Sequence, residues 1–166
     1  LMADPNSNPH DERMKFVEEM GLLYEVANVP RMAGRMMGWL LVCEPAHQSF
    51  TDLVEVLQAS KGSISGTTRL LLQYGIIERI SFPGDRRTYF KIRDDAWQEL
   101  LRGEMDRVQR FEALSARGLK LIEADTDVSP ERMRQMHAFY AFFLRKMPSI
   151  LDEYAALESE QSPVSE

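Results

Sequence analysis

Apolar side chains recur at spacings of three and four at Phe16, Met20, Leu23, Tyr24 and Ala27, which predicts an amphipathic helix over residues 11–27. Asn28 and Pro30 punctuate its end, and Pro30 suits the first turn of a second helix from about Arg31 to Cys43. There Gly34 and Gly38 lie four apart on one face, so another helix is expected to pack closely against them. Residues 44–49 read as a loop. A short helix follows, with Thr51 as its cap and Leu53, Val56 and Leu57 as its buried side. Gln58-Ala59-Ser60 reads as a tight turn in which Ser60 caps the next helix. In that helix Ile64, Thr68, Leu71 and Leu72 point inward, while Lys61, Ser63, Ser65, Gly66, Arg69 and Gln73 face out, and Gly75 stops it.

The period then changes. Residues 76–82 are apolar and β-branched enough for a strand, Pro83-Gly84-Asp85 is turn chemistry, and residues 88–93 alternate. Phe90 and Ile92 fall on one face of this strand, and Tyr89, Lys91 and Arg93 on the other. After an Asp94 cap, a long helix carries Trp97, Leu101, Met105, Val108 and Phe111 as far as about Ile122, despite Gly103 and Gly118. Residues 125–129 form a polar loop, and Ser129-Pro130-Glu131 starts the last helix. Its apolar face runs through Met133, Met136, His137, Tyr140, Phe143, Leu144 and Met147, and Pro148 is expected to kink or break it. The expected fold is mainly α with a small β-wing: a winged helix-turn-helix with N- and C-terminal dimerisation helices. The expected divisions are a disordered leader (1–10), an N-terminal dimerisation helix (11–29), a winged module (30–93), a linker helix with C-terminal dimerisation helices (94–158) and a disordered tail (159–166).

Charge sharpens this reading. Across residues 60–93, Lys61, Arg69, Arg79, Arg86, Arg87, Lys91 and Arg93 stand against only Glu78 and Asp85, a local balance of +5 in a chain whose net charge is −6. One basic segment in an acidic chain is a focused phosphate-binding surface. The 166 residues suit one domain with helical extensions, and their 44% hydrophobic content is enough for a core. The single cysteine, Cys43, cannot form an internal disulfide, which suits a reducing compartment. No signal peptide opens the chain, and the apolar-leaning run from Met32 to Cys43 is too short to span a bilayer. The expected location is the cytoplasm, at the nucleoid when bound to DNA. Ten methionines suggest adaptable packing.

Candidate chemistry concentrates in the winged segment. Small polar residues at the start of the outward-facing helix let its backbone approach DNA, and arginines at a wing tip suit the negative potential of a narrow minor groove. The candidate DNA contacts are Lys61, Gly62, Ser63, Ser65, Gly66, Thr67, Arg69, Arg86 and Arg87. Asp85 supports the wing by orienting a neighbouring arginine through a salt bridge. A solvated surface helix and a hairpin with routine solubilising charge are the plainer readings, but the two features fall at the spacing of a helix and its wing. Cys43 reads as a buried, inert thiol. His10, His47 and His137 lie in separate segments without metal-ligand spacing, and no catalytic set or phosphate loop is present, so no enzyme activity, metal or cofactor is expected. Tyr24, Met36, Trp39, Phe139 and Phe143 are a candidate effector pocket for a small apolar or cationic molecule. The plainer reading makes these aromatics a dimer core. A winged helix that binds protein partners and never reads DNA is the alternative function, and it would call for a neutral or acidic outward face.

The run from Ser60 to Ser65, the helix exit Leu71…Tyr74-Gly75-Ile76-Ile77, and Gly84-Asp85-Arg86-Arg87…Tyr89-Phe90 resemble the MarR superfamily. Together with the run from Pro30 to Arg35, they are most similar to the branch typified by the choline-responsive repressor of glycine-betaine synthesis (GbsR-like). Motifs carry the resemblance from about Phe16 to Leu101. It implies a homodimer built from the terminal helices, a recognition helix and wing on double-stranded DNA, and an effector bound between them. It also implies that Arg87, in the Asp85-x-Arg87 spacing, enters the minor groove. Thr68 departs from the larger apolar residue of many relatives. The expectation is a transcriptional repressor that binds a pseudo-palindromic operator as a homodimer and is released by a small molecule.

Overall fold

The computed structural model describes residues 8–123 and 127–161, in two compact units that divide between Trp97 and Gln98. The first unit holds α1 (Pro9–Val26), α2 (Arg31–Val42), β1 (Gln48–Ser49), α3 (Phe50–Val56), α4 (Lys61–Gln73), β2 (Ile77–Ile80) and β3 (Tyr89–Ile92). Local chemistry accounts for most of the boundaries. The Asn8 side chain caps α1 by accepting from the His10 N–H, and the Ser60 hydroxyl caps α4 by accepting from the Ser63 N–H at 3.1 Å. Gly75, at φ 68°, takes the left-handed turn that ends α4. The cap of α3 is Ser49, not Thr51. Ser49 and Asp52 exchange hydrogen bonds in a reciprocal capping box, so the helix starts two residues earlier than the sequence suggests.

The three strands are antiparallel in the order β1-β3-β2. Gln48 and Ser49, expected to lie in a loop, instead pair with Phe90 and Tyr89. Two residues are too few for a periodic signal, so only the tertiary pairing reveals this strand. In β2, Ile77 faces Ile92 and Ile80 faces Tyr89. The core of the unit gathers Val17, Met36, Met37, Leu40, Leu53, Leu57, Ile64, Leu71, Ile76, Ile77 and Phe90.

α1 and α2 meet at very short range. A Cβ built on Gly34 would lie 2.4 Å from the Met20 carbonyl oxygen, and one on Gly38 would lie 3.2 Å from the Val17 Cα. The expected close helix contact is therefore made by α1. It also changes the face that α1 buries. Val17 and Gly21 form the buried seam, Met20 and Tyr24 are half-buried, and Phe16, Leu22, Leu23 and Val26 are exposed, Leu23 to 63% and Val26 to 82%. Large side chains cannot enter a seam whose backbones are this close, so they rotate away from it. Glu18 fastens the seam by accepting from Arg35 Nε at 2.7 Å and Arg31 Nη2 at 2.9 Å.

The second unit consists of α5 (Ala96–Glu123), which begins just before the division, and α6 (Glu131–Gln161). Phe111 stacks on Tyr140 with centroids 4.9 Å apart, and the buried Ser115 hydroxyl lies 3.2 Å from His137 Nδ1. Of the expected kink or break at Pro148, the break does not occur: α6 continues through it as one helix. The ring deletes one helical N–H, and the Ser149 hydroxyl donates to the Lys146 carbonyl at 2.8 Å just beside it. Leu114, Leu121, Phe139, Phe142, Phe143, Ile150 and Leu157 remain exposed on these two helices. The expected polar loop is described only from residue 127 onward, and most of the leader and tail lies outside the described residues. Among the described residues, no helix is long and apolar enough to cross a membrane.

Gly34→Ala should destabilise the protein by about 1–3 kcal/mol, because the new methyl meets backbone and cannot be accommodated by a rotamer change. Gly103→Ala, which meets nothing within 4 Å, should be neutral or stabilising by about 0.5–1 kcal/mol. Urea denaturation of the two variants checks the contrast.

Candidate nucleic-acid interface

α4 follows the turn that closes α3, and its inward side is anchored by Ile64, Thr67, Thr68 and Leu71. Thr68 is also held locally, its hydroxyl donating to the Ser65 carbonyl at 3.1 Å. Lys61, Gly62, Gly66 and Arg69 are exposed, and Ser63 and Ser65 are half-buried. Thr67 differs from the other candidate contacts. It is only 6% exposed, because the helical period brings it beside Ile64 and Leu71 on the core face.

Gly66 has no structural reason to be glycine within the chain. A Cβ there would meet nothing within 4 Å, and its φ is an ordinary helical one. A mid-helix glycine weakens a helix by about 1 kcal/mol relative to alanine. Packing explains Gly34 and Gly38 of α2, whereas the surface of α4 at Gly66 is open.

The basic side chains fall into two groups. Arg87 is bonded to Asp85, Lys91 to Glu78 at 3.0 Å and Asp94 at 3.3 Å, and Arg93 to Asp95 at 2.7 Å. Lys61, Arg69, Arg79 and Arg86 are exposed and make no ion pair with any described residue. These four cations are the basic side chains of the segment left without a carboxylate partner among the described residues.

At the wing, Gly84 adopts φ 82° and the Asp85 N–H donates to the Phe82 carbonyl at 3.1 Å. Asp85 then grips Arg87 three ways. Its carboxylate accepts from the Arg87 backbone N–H at 2.9 Å, from Nε at 3.0 Å and from Nη2 at 2.7 Å. Tyr89 adds a hydroxyl donated to Asp85 Oδ2 at 2.7 Å. The Arg87 side chain, the Arg87 N–H and the Tyr89 hydroxyl together hold the Asp85 carboxyl well below the usual carboxylate range. A depressed carboxylate keeps its charge until the pH falls through its lowered value, so the lock is present throughout the neutral range. The salt bridge read from the sequence is thus present. The role of Tyr89 was not legible, since alternation alone placed it outward. It is 7% exposed and packs against His47 and Phe82.

The candidate effector residues do not form one cluster within either unit. Tyr24, Met36 and Trp39 belong to the first unit. Met36 is fully buried, the Tyr24 hydroxyl lies 2.8 Å from Met37 Sδ, and the buried Trp39 indole N–H donates to Gln48 at 3.3 Å. Phe139 and Phe143 belong to the second unit, where they line a groove of about 600 Å³ with Leu101, Val108, Phe111 and Met147. Cys43 is buried, and burial pushes its thiol pKa up, away from the reactive thiolate.

The family model of MmpR5-like MarR family transcriptional regulators matches residues 95–158. The HTH-type transcriptional regulator MmpR5 of Mycobacterium tuberculosis is 38% identical over 150 residues, 89% of either chain. A crystal structure of a transcriptional regulator superposes with TM-score 0.76 at 36% identity, covering 87% of this chain and 99% of that one. The S. aureus MepR–DNA complex is a more distant likeness, with TM-score 0.41 and 16% identity over 80% of this chain and 90% of that one. With this level of identity sustained over nearly its whole length, the chain belongs to the MmpR5-like MarR family of transcriptional regulators.

Proposed function

We propose that this regulator is a homodimeric repressor that reads a pseudo-palindromic operator, placing an α4 helix in each of two major-groove half-sites about one helical turn apart. Arg87 enters the adjacent minor groove from each wing. The observation that carries this reading is the set of four exposed, unpaired cations, Lys61, Arg69, Arg79 and Arg86, within an otherwise acidic chain. Ser63, Ser65, Gly62 and Gly66 supply the close approach, and Thr67 acts by packing α4 rather than by touching DNA. The apolar side chains left exposed on α1, α5 and α6 support burial of the terminal helices against a second copy.

The effector is a separate proposal. Phe139 and Phe143 border an open apolar groove, whereas Met36 and Trp39 are committed to the core of the first unit. An apolar molecule in the groove between α5 and α6 is therefore better supported than a cation caged by Trp39. The finer resemblance to the choline-responsive branch is supported only by the motifs at residues 30–35, 60–65, 71–77 and 84–90. Choline would have to alter DNA binding for that branch to describe this chain.

Titration against a 30-bp duplex, selected from a random library by the wild-type protein, tests the reading. Binding should weaken steeply with salt, and alanine at Lys61, Arg69, Arg79 or Arg86 should each lower the logarithmic salt slope by about 1 where the side chain meets a phosphate. Arg87→Ala should cost about 1–3 kcal/mol of affinity with the dimer intact. A protein that enriches no duplex would favour the protein-interaction module instead. Gly66→Ala separates helix stability from DNA approach. It should stabilise the fold by about 0.5–1 kcal/mol yet weaken duplex binding. Unchanged affinity in that variant would mean that nothing approaches α4 closely at this position.

A further inference from the structure

We propose that Tyr89, clamped by His47 and Phe82, is a positioning residue that ties the wing arginine Arg87 to the body of the DNA-reading unit. The inference rests on the DNA-binding reading above. It concerns how Arg87 is aimed, not whether it carries charge.

The connection between β2 and β3 runs over residues 81–88, and most of it is exposed. An arginine on such a segment would lose rotamer and backbone freedom on binding, at the cost of affinity. Asp85 alone offers a poor remedy, because it belongs to the same turn and moves with it. Tyr89 differs in being anchored elsewhere. It pairs with Ser49 of β1 and Ile80 of β2, so it sits in the central strand of the sheet. The Phe50 N–H, at the start of α3, donates to the Thr88 carbonyl at 3.3 Å and fixes the backbone just before it.

The ring is held from several directions. His47 meets it edge-on with centroids 5.3 Å apart, Phe82 meets it edge-on at 5.1 Å, and His47 and Phe82 contact each other at 4.9 Å. The Arg87 guanidinium lies 5.1 Å from the centroid of the same ring. From this fixed ring the hydroxyl reaches Asp85 Oδ2 at 2.7 Å, on the oxygen that also accepts from Arg87 Nη2. The chain of contacts therefore runs from His47, which precedes β1, through Tyr89 to Asp85 and Arg87. Asp85 engages Nε and Nη2 of the guanidinium, and Nη1 makes no hydrogen bond to a described residue.

The test compares wild type, Tyr89→Phe, Arg87→Ala, the double variant, His47→Ala and His47→Phe on the selected 30-bp duplex, with thermal unfolding of each. Tyr89→Phe keeps the ring and loses only the bond to Asp85. It should weaken binding about two- to tenfold, the cost of ordering one long side chain, with unchanged melting. In the Arg87→Ala background the same change should have no further effect, because the group it positions is gone. His47→Ala should give a similar loss, and His47→Phe should restore binding by replacing the ring. The proposal is overturned if Tyr89→Phe binds like wild type while Arg87→Ala is weakened, or if the Tyr89→Phe loss persists undiminished without Arg87. Selection of no duplex by the wild-type protein would instead bring down the DNA-binding reading, and this proposal with it. Should His47→Ala fail to fold, the Tyr89 cycle with Arg87 and the His47→Phe variant still decide the matter.

Discussion

At Gly34 the backbone of α1 occupies the space that any side chain would need, with the Met20 carbonyl 2.4 Å from the Cβ position. Much of the first unit follows from that contact. It brings α1 and α2 together along a seam of Val17, Gly21, Gly34 and Gly38, which excludes the large side chains of α1 from the core. It also frees the opposite side of α2 to present Met36 and Leu40 to the rest of the unit. α2 in turn packs on α4 and on β3, so the helix and the strand that flank the wing rest on a common support. Ion pairs from Glu18 to Arg31 and Arg35 reinforce the seam at its edge, where partial exposure keeps their contribution modest.

The electrostatics of the unit sort its cations by role. Lys91 and Arg93 are neutralised by acids on or next to β3, and serve the strand and its exit into α5. Arg87 is also paired, but with an acid two residues away in the same turn, which orients the guanidinium without burying it. Lys61, Arg69, Arg79 and Arg86 carry the unspent positive charge. A count of basic residues overstates the phosphate-binding surface, because three of the seven in the segment already have carboxylate partners. What distinguishes the surface is where charge is left unpaired.

The second unit poses the opposite problem, of surplus apolar surface. Two helices facing each other can cover only one stripe apiece, and α5 and α6 carry more than that. Phe111, Tyr140 and the Ser115–His137 contact show where the helices meet. Phe142, Ile150 and Leu157 lie exposed along α6. The homodimer proposed above would cover this excess, along with the exposed apolar residues of α1.

The sequence by itself determined the order of elements, most helix ends and the location of the basic segment. These depend on information local to a few residues: the helical period, the hydroxyl of Ser60, the left-handed turn at Gly75 and Gly84, and the sign of side-chain charge. A close helix contact at Gly34 and Gly38 was also legible, since glycines four apart on a helix face leave room for little else, but that α1 makes it was not. Only the tertiary structure decided which side of α1 is buried, because a seam too tight for Phe16 and Leu23 is a property of two helices. β1 was invisible because its two residues become a strand only through β3. Pro148 stays helical because the loss of one N–H is outweighed by the helix continuing on either side. Thr67 turned inward and Tyr89 became the hub of the wing for the same reason: periodicity assigns a face to a side chain, but its neighbours decide whether that face is solvent, core or a partner's anchor.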